Sequence, residues 1–276
     1  MPEPLTETFE APFPASPLDA AMAESDGQVL ALVAEAVRDG RLRLAFQPVV
    51  LGRDPSRVAF HEGLIRVLDR GGRIIPAREF MPAVEGHELG REIDCAALEL
   101  GLETLLRHPD QRIAVNMSAR SIGYPRWMRL LHAGLARQAT LGERLILEIT
   151  ESSAMLVPEL VVAFMEEVQG RGVAFALDDF GAGQTAIRYF RDFMFDILKI
   201  DGQFIRGIDR DPDNRALTAA LLSIGRHFEM FTVAEAVETA AEAECLRGLG
   251  VDCLQGYLFG APTLKPAWAE AERRRA

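Results

Sequence analysis

From Gly40 onward, short apolar runs alternate with longer stretches in which apolar residues recur at helical spacing. The apolar runs predict β-strands at Leu42–Val50, Val58–Val67, Ile113–Met117, Leu145–Ile149, Val173–Leu177, Ile197–Ile200, Phe231–Ala234 and, more weakly, Val251–Leu254. The amphipathic stretches predict helices at about 79–85, 90–107, 127–138, 158–170, 184–191, 214–228, 239–248 and 266–274. Strands that alternate with helices indicate a parallel sheet, and about eight of them favour a closed (β/α)8 barrel over an open sheet. No glycine fingerprint for a dinucleotide follows the first strand, which also counts against the open sheet.

The N-terminal end has a different composition from the rest of the chain. Five of the fifteen prolines fall within residues 1–17, at positions 2, 4, 12, 14 and 17. We therefore expect residues 1–19 to form an extended or disordered tail and residues 20–276 to form one barrel domain. Helical spacing of apolar residues over 29–37, followed by Gly40, predicts a helix that leads into the barrel.

Composition narrows the function classes. The chain of 276 residues carries a net charge of −11, which argues against binding to duplex nucleic acid, because such binding depends on basic side chains. Three widely spaced cysteines contain no CxxC pair, so a disulfide framework and a thiolate zinc site are both disfavoured. No apolar stretch is long enough for a membrane span, and no basic residue precedes Arg38 as in a signal peptide, so we expect a cytoplasmic protein.

Polar side chains stand at the end of almost every predicted strand. They are Glu62, Asn116, Glu148, Asp178, Asp179, Lys199, Glu235 and Gln255. The strand ends of a parallel barrel share one face, so five carboxylates would converge there, and divalent cations would relieve their repulsion. Oxygen ligands favour Mg²⁺ or Mn²⁺ over zinc. Each residue also has a plainer interpretation: a carboxylate after a strand is often a helix N-cap, the Asp178–Asp179 pair could build a turn, and Lys199 could lie at the surface.

The residues in this order resemble the EAL domain family of cyclic di-GMP phosphodiesterases. The resemblance covers roughly residues 28–265 and rests on eight motifs: Phe46–Val50, Glu62–Arg66, Val115–Arg120, Leu147–Ser152, Asp178–Gly183, Leu198–Asp201, Ala234–Thr239 and Gln255–Phe259. It implies a modified TIM (β/α)8 barrel with one antiparallel strand. It also implies hydrolysis of cyclic di-GMP to linear pGpG with two Mg²⁺ or Mn²⁺ ions per site.

The resemblance also implies residue roles. The implied metal ligands are Glu62, Asn116, Glu148, Asp178, Asp179 and Glu235, with Asp178 bridging two ions. Lys199 resembles the lysine that orients or deprotonates the attacking water, and the implied catalytic set is Lys199, Glu62 and Glu235. The implied substrate-binding residues are Gln47, Arg66, Gln255 and Glu238. Glu151 matches a glutamate that anchors the loop after Asp179.

Some positions depart from the family pattern. Gly63 stands where the signature tripeptide has Ala, Ala236 replaces a usual Gly, and Ala182, Gln184 and Thr185 replace a usual Thr, Tyr and Ser. No implied metal ligand is missing, which favours an enzyme. The alternatives are a weak or inactive EAL-like receptor or interaction module and, less favoured, an unrelated metal-dependent TIM-barrel lyase. The resemblance further implies a homodimer, and the N-terminal tail could tether a regulatory partner.

Overall fold

The computed structural model of the protein describes residues 17–182 and 191–269, with side chains from Glu24 onward. The predicted tail up to residue 16, residues 184–190 of the helix predicted at 184–191, and residues 270–274 of the last predicted helix lie outside the described residues. A helix begins at Pro17, inside the region predicted as tail, and the boundary between tail and domain stays a prediction.

Nine strands form one sheet in the described part of the chain. They are β1 (Leu42–Leu51), β2 (Asp54–Leu68), β3 (Ile74–Pro76), β4 (Ile113–Asn116), β5 (Leu145–Thr150), β6 (Ala174–Phe180), β7 (Ile197–Ile200), β8 (Phe231–Ala234) and β9 (Cys253–Gln255). Each of the eight predicted strands is present, with β2 longer than predicted at both ends. The sequence pattern missed β3, a three-residue strand that pairs with the end of β2.

The main helices cover the outside of the sheet. They are α1 (Pro17–Arg38), α2 (Met81–Val84), α3 (Glu88–Arg107), α4 (Pro125–Ala136), α5 (Glu151–Ala154), α6 (Pro158–Gln169), α7 (Gly202–Ile205), α8 (Pro212–His227) and α9 (Ala240–Leu249). Proline in the first turn marks the start of α4, α6 and α8, where its missing N–H costs no helical hydrogen bond. Residues 267–269, at the end of the described chain, are also helical. No helix in the described ranges is long and apolar enough to cross a membrane.

The sheet closes into a barrel through β1. Its strand order is β1-β9-β8-β7-β6-β5-β4-β2-β3, and β1 also pairs with β2, so eight strands form a ring and β3 lies outside it. β1 runs antiparallel to both of its neighbours, β2 and β9. The other neighbouring strands of the ring pair in parallel. The predicted modified TIM barrel with one antiparallel strand is therefore confirmed.

Inside the barrel, each of the eight strands contributes one side chain to a single apolar cluster. We call this cluster the apolar layer: Val49, Phe60, Ala114, Ile146, Ala176, Ile197, Val233 and Cys253. Side chains two residues apart on a strand share a face. Two residues farther along each parallel strand, and two residues earlier on antiparallel β1, stands a polar residue. The strand period thus places a second, polar layer above the apolar one.

Candidate active site at the strand ends

One side chain from each strand of the ring forms the polar layer. Its members are Gln47, Glu62, Asn116, Glu148, Asp178, Lys199, Glu235 and Gln255. Seven of the eight strand-end residues predicted from the sequence belong to this layer, and Gln47 completes it from β1. Hydrogen bonds and ion pairs connect all eight side chains into one network.

Lys199 stands at the centre of the network. Its Nζ lies 2.8 Å from Glu235 Oε1, 2.9 Å from Asp178 Oδ1, 3.0 Å from Glu148 Oε2 and 3.5 Å from Glu62 Oε2. The side chain is 1% exposed, so Lys199 is a buried residue and not a surface lysine. Burial opposes its charge, but the four carboxylates outweigh burial and raise the pKa of the Lys199 ammonium well above its usual value. Lys199 is therefore a fixed cation that offsets part of the buried negative charge.

Glu62 is held from three sides. Asn116 Nδ2 donates to Glu62 Oε1 at 2.9 Å, and Gln255 Nε2 donates to Glu62 Oε2 at 2.6 Å. Burial by itself would raise the pKa of the Glu62 carboxyl, but the Lys199 ammonium and these two amide donors outweigh it and leave the pKa below its usual value. Glu62 is therefore an ionised carboxylate with a fixed orientation.

Three of the other carboxyl groups, those of Glu148, Glu235 and Asp179, retain protons more readily. Burial, with repulsion from neighbouring carboxylates, raises the pKa of Glu148 well above its usual range and that of Glu235 to about 8. Burial and the adjacent Asp178 raise the pKa of Asp179 to about 6. One ammonium is therefore too little positive charge for the carboxylates around it.

The carboxylates could hold divalent cations in two places. Oxygens of Glu62, Glu148 and Asp178 lie within 4.8 Å of one another, and so do oxygens of Asp178, Asp179 and Glu235. Asp178 belongs to both groups. Glu148 Oε1 is buried and has no hydrogen-bond partner within the described part of the chain, which fits an oxygen available to a cation.

Two cavities flank the polar layer, and both are lined by Glu62, Leu64, Asp178 and Asp179. The first, of about 290 Å³, extends over α3 and the end of β4. The second, of about 330 Å³, extends toward α7 and the segment after β9. A ligand with two similar halves would fit across the polar layer with one half on each side.

The loop after β6 is tied to the start of α5. Gly181 N–H donates to Glu151 Oε2 at 3.1 Å, and Glu151 is 2% exposed. Asp179 takes a left-handed conformation with φ of 55°, which turns its side chain away from the strand alternation. Of the three departures in this loop, Ala182 is among the described residues, whereas Gln184 and Thr185 lie outside them together with Gly183.

The remaining predicted substrate-binding residues occupy different positions. Gln47 and Gln255 are buried in the polar layer, and both line the second cavity. Glu238 is exposed and lines the same cavity. Arg66 is half-buried near Glu62, but its Nη1 donates to the carbonyl of Ile65, and neither cavity lining within the described ranges includes it.

Sequence reasoning missed Asp94, a buried acid in the first cavity. It lies on α3, and its Oδ2 accepts from Ser121 Oγ at 2.5 Å and from Ser118 N–H at 3.0 Å. Burial raises the pKa of the Asp94 carboxyl to about 7. The signal in the sequence was an acid on the apolar face of a predicted helix, between Ile93 and Cys95.

Known proteins resemble this chain over most of its length. MucR of Pseudomonas aeruginosa, a bifunctional diguanylate cyclase and cyclic di-GMP phosphodiesterase, is 32% identical over 249 residues, which are 88% of this chain and 36% of that protein. The Escherichia coli cyclic di-GMP phosphodiesterase PdeF is 30% identical over 232 residues, covering 83% of this chain and 31% of the relative. The chain thus spans about a third of the length of these curated relatives.

Solved structures show the same similarity. The phosphodiesterase of P. aeruginosa MucR in complex with c-di-GMP superposes with a TM-score of 0.74 at 32% identity, covering 87% of this chain and 98% of that one. The EAL domain of P. aeruginosa FimX bound to c-di-GMP gives a TM-score of 0.78 at 24% identity, covering 86% and 97%, and supports the fold alone. The model of the EAL domain matches residues 31–262. With the barrel topology and the polar layer, this match identifies the chain as a member of the EAL domain family.

Proposed function

We propose that this protein hydrolyses cyclic di-GMP to linear pGpG at the polar layer. The observation that carries the proposal is the connected network of eight polar side chains, in which four carboxylates surround Lys199 and two cavities open on either side. The phosphodiesterase names of MucR and PdeF, and the c-di-GMP complex of MucR, support the same substrate.

Two divalent cations, Mg²⁺ or Mn²⁺, would be held by the two carboxylate groups that share Asp178. When bound, such ions acidify water and stabilise the charge that develops on phosphorus. Their positive charge also lets an acidic site accept a substrate that carries two phosphodiester anions. Asn116, bonded to Glu62, fixes the orientation of one of these carboxylates.

The substrate halves would occupy the two cavities. Gln47, Gln255 and Glu238 line the second cavity and supply donors and acceptors for one half. Asp94 offers an acceptor in the first cavity for the other half. Arg66, half-buried on β2, would pair with a phosphate oxygen after its guanidinium leaves the Ile65 carbonyl.

Lys199 would act as a hydrogen-bond donor. The surrounding carboxylates raise the pKa of its ammonium, so it is charged at neutral pH and has no lone pair with which to accept a proton. Of the two roles implied by the resemblance, orienting the attacking water therefore fits this environment better than deprotonating it. Glu62 and Glu235 contact Lys199 and complete the proposed catalytic set.

The test is product analysis with cyclic di-GMP and Mg²⁺ or Mn²⁺. We expect pGpG from the wild type, no pGpG after EDTA, and a rate lower by about 10³-fold or more in Glu62→Gln. Glu99→Gln, an exposed glutamate on α3, is the matched control and keeps the wild-type rate. Tight nucleotide binding without product would favour the receptor alternative. The absence of both binding and product would refute the hydrolase and the receptor alike.

We propose in addition that the protein forms a homodimer through the segment after α5. Leu156 is 68% exposed, and its neighbours Val157 and Leu160 are 37% and 44% exposed, which leaves an apolar surface next to the helix that carries Glu151. Light scattering of the wild type and of Leu156→Lys tests this: a wild-type monomer would refute it.

A further inference from the structure

The N-terminal part of β1, residues 42–48, lacks a strand partner on one side within the described chain. β9 pairs with β1 only at Val49, Val50 and Leu51, so residues 42–48 meet β2 on one edge and no named strand of the described chain on the other. Gln47, a member of the polar layer, lies in this half-supported part of the strand.

The segment of residues 260–268, here called the C-terminal strap, fills the open edge. Phe46 N–H donates to Thr263 O at 2.8 Å, and Thr263 N–H donates back to Phe46 O at 3.1 Å. One residue farther on, Gln47 Nε2 donates to Gly260 O at 3.0 Å. The strap therefore holds both the backbone beside Gln47 and the amide of Gln47 itself.

Trp268 fixes the far end of the strap. Its ring centroid lies 5.1 Å from that of Phe46, 5.7 Å from that of His61 and 4.5 Å from that of His108. The indole Nε1–H donates to His61 Nε2 at 3.3 Å. The match to the EAL domain ends at residue 262, so this anchor lies beyond the part of the chain that defines the family.

Gln47 connects the C-terminal strap to the polar layer through hydrogen bonds. Its Oε1 accepts from Gln255 Nε2 at 3.2 Å, and the same Gln255 nitrogen donates to Glu62 Oε2. Glu62 has independent bonds from Asn116 and Lys199, so loss of the strap would disturb Gln47 more than Glu62.

We infer that Trp268 is a positioning residue for substrate binding, which acts by anchoring the C-terminal strap against β1 and thereby holding Gln47 in the second cavity. This inference rests on the proposed function. The chemical group positioned is a carboxamide, and the ligand it serves is the nucleotide half that occupies that cavity.

The experiment compares Trp268→Ala, Trp268→Phe and the control Lys265→Ala, an exposed residue of the same strap, in the full chain. Positioning predicts that Trp268→Ala raises KM for cyclic di-GMP about tenfold while kcat stays within about twofold. Trp268→Phe keeps an aromatic ring but loses the N–H donor to His61, so its KM should lie between those of Trp268→Ala and the wild type. A merely structural role would instead lower the active fraction, so that apparent kcat falls with KM unchanged.

A double variant sharpens the test. In a Gln47→Ala background, Trp268→Ala should raise KM no further, because the group it positions is gone. Additive effects would overturn the inference, as would an unchanged KM in Trp268→Ala. Hydrogen exchange gives a readout without activity: amides of residues 42–47 should exchange about tenfold faster in Trp268→Ala, with β5 unchanged, and equal exchange would overturn the inference. A wild type that makes no pGpG refutes the proposed function and the role in substrate binding with it, whereas a normal wild type with a normal Trp268→Ala refutes the inference alone.

Discussion

Replacing Lys199 by Met should destabilise the metal-free protein and make its stability depend strongly on divalent cations. The ammonium lies between 2.8 and 3.5 Å from four buried or half-buried carboxylates. Removing one partner of a buried ion pair costs about 3–5 kcal/mol, because the remaining charge is left uncompensated. Glu148 and Glu235 have raised pKa values and can take up protons, so we expect the lower end of this range.

The expected shift in melting temperature follows from that cost. About 3 kcal/mol corresponds to roughly 6–12 °C, at about 2–4 °C per kcal/mol for chains of this size. Lys265→Met is the matched control, since lysine occurs only at positions 199 and 265 and Lys265 is exposed. In EDTA, Lys199→Met should therefore melt at a lower temperature than both Lys265→Met and the wild type.

Divalent cations should reverse much of this loss. A cluster without its ammonium attracts cations more strongly, so Mg²⁺ or Mn²⁺ should raise the melting temperature of Lys199→Met more than that of the wild type. Hydrolysis should stay absent in the variant even when its stability recovers. The reasoning is refuted if Lys199→Met and Lys265→Met have the same melting temperature in EDTA. It is also refuted if divalent cations raise the melting temperatures of both variants by the same amount.

Three further predictions concern the rest of the site. The raised pKa values of Asp179 (about 6) and Glu235 (about 8) mean that cations displace protons, so Mn²⁺ affinity should rise from pH 6 to pH 8. Calorimetry in two buffers of different ionisation enthalpy should detect the released protons, and pH-independent affinity without proton release would contradict this. Glu151→Gln should weaken Mn²⁺ binding about tenfold by loosening the loop at Gly181, relative to the exposed control Glu159→Gln; an equal Kd in both would argue against the anchor. A Cβ on Gly202 would lie 2.6 Å from Ala236 Cβ, so Gly202→Ala should cost about 1–3 kcal/mol in urea unfolding, and Ala236→Gly should restore most of it; additive free energies would refute the coupling.

The strand ends were predictable because alternation is a local property of the sequence. Once Ile197 is assigned to the barrel interior, Lys199 must point to the same side two residues later, and the same rule applies to Ile146 and Glu148. The antiparallel direction of β1 is not encoded in periodicity, and only the family resemblance predicted it. Closure of the barrel could then be inferred, but not the register that connects Gln47 to Gln255.

Other features depend on contacts that no local pattern reveals. Asp94 interrupts the apolar face of α3, and only the fold shows that Ser118 and Ser121 cover it. The resemblance implied a Gly at position 236, and Ala236 has a φ of 53°, in the left-handed region that favours glycine. β3 is three residues long and pairs with one strand only, which is too short for a periodic signal.

The apolar layer beneath the charged groups has an electrostatic consequence. Eight hydrocarbon and thiol side chains close the barrel from below, so the carboxylates can be hydrated from above only. Such a one-sided environment has a low dielectric constant on its inner side, which strengthens repulsion among the anions and attraction for any cation that enters. The geometry that makes the metal-free protein electrostatically costly is thus the same geometry that would favour a divalent cation at the barrel mouth.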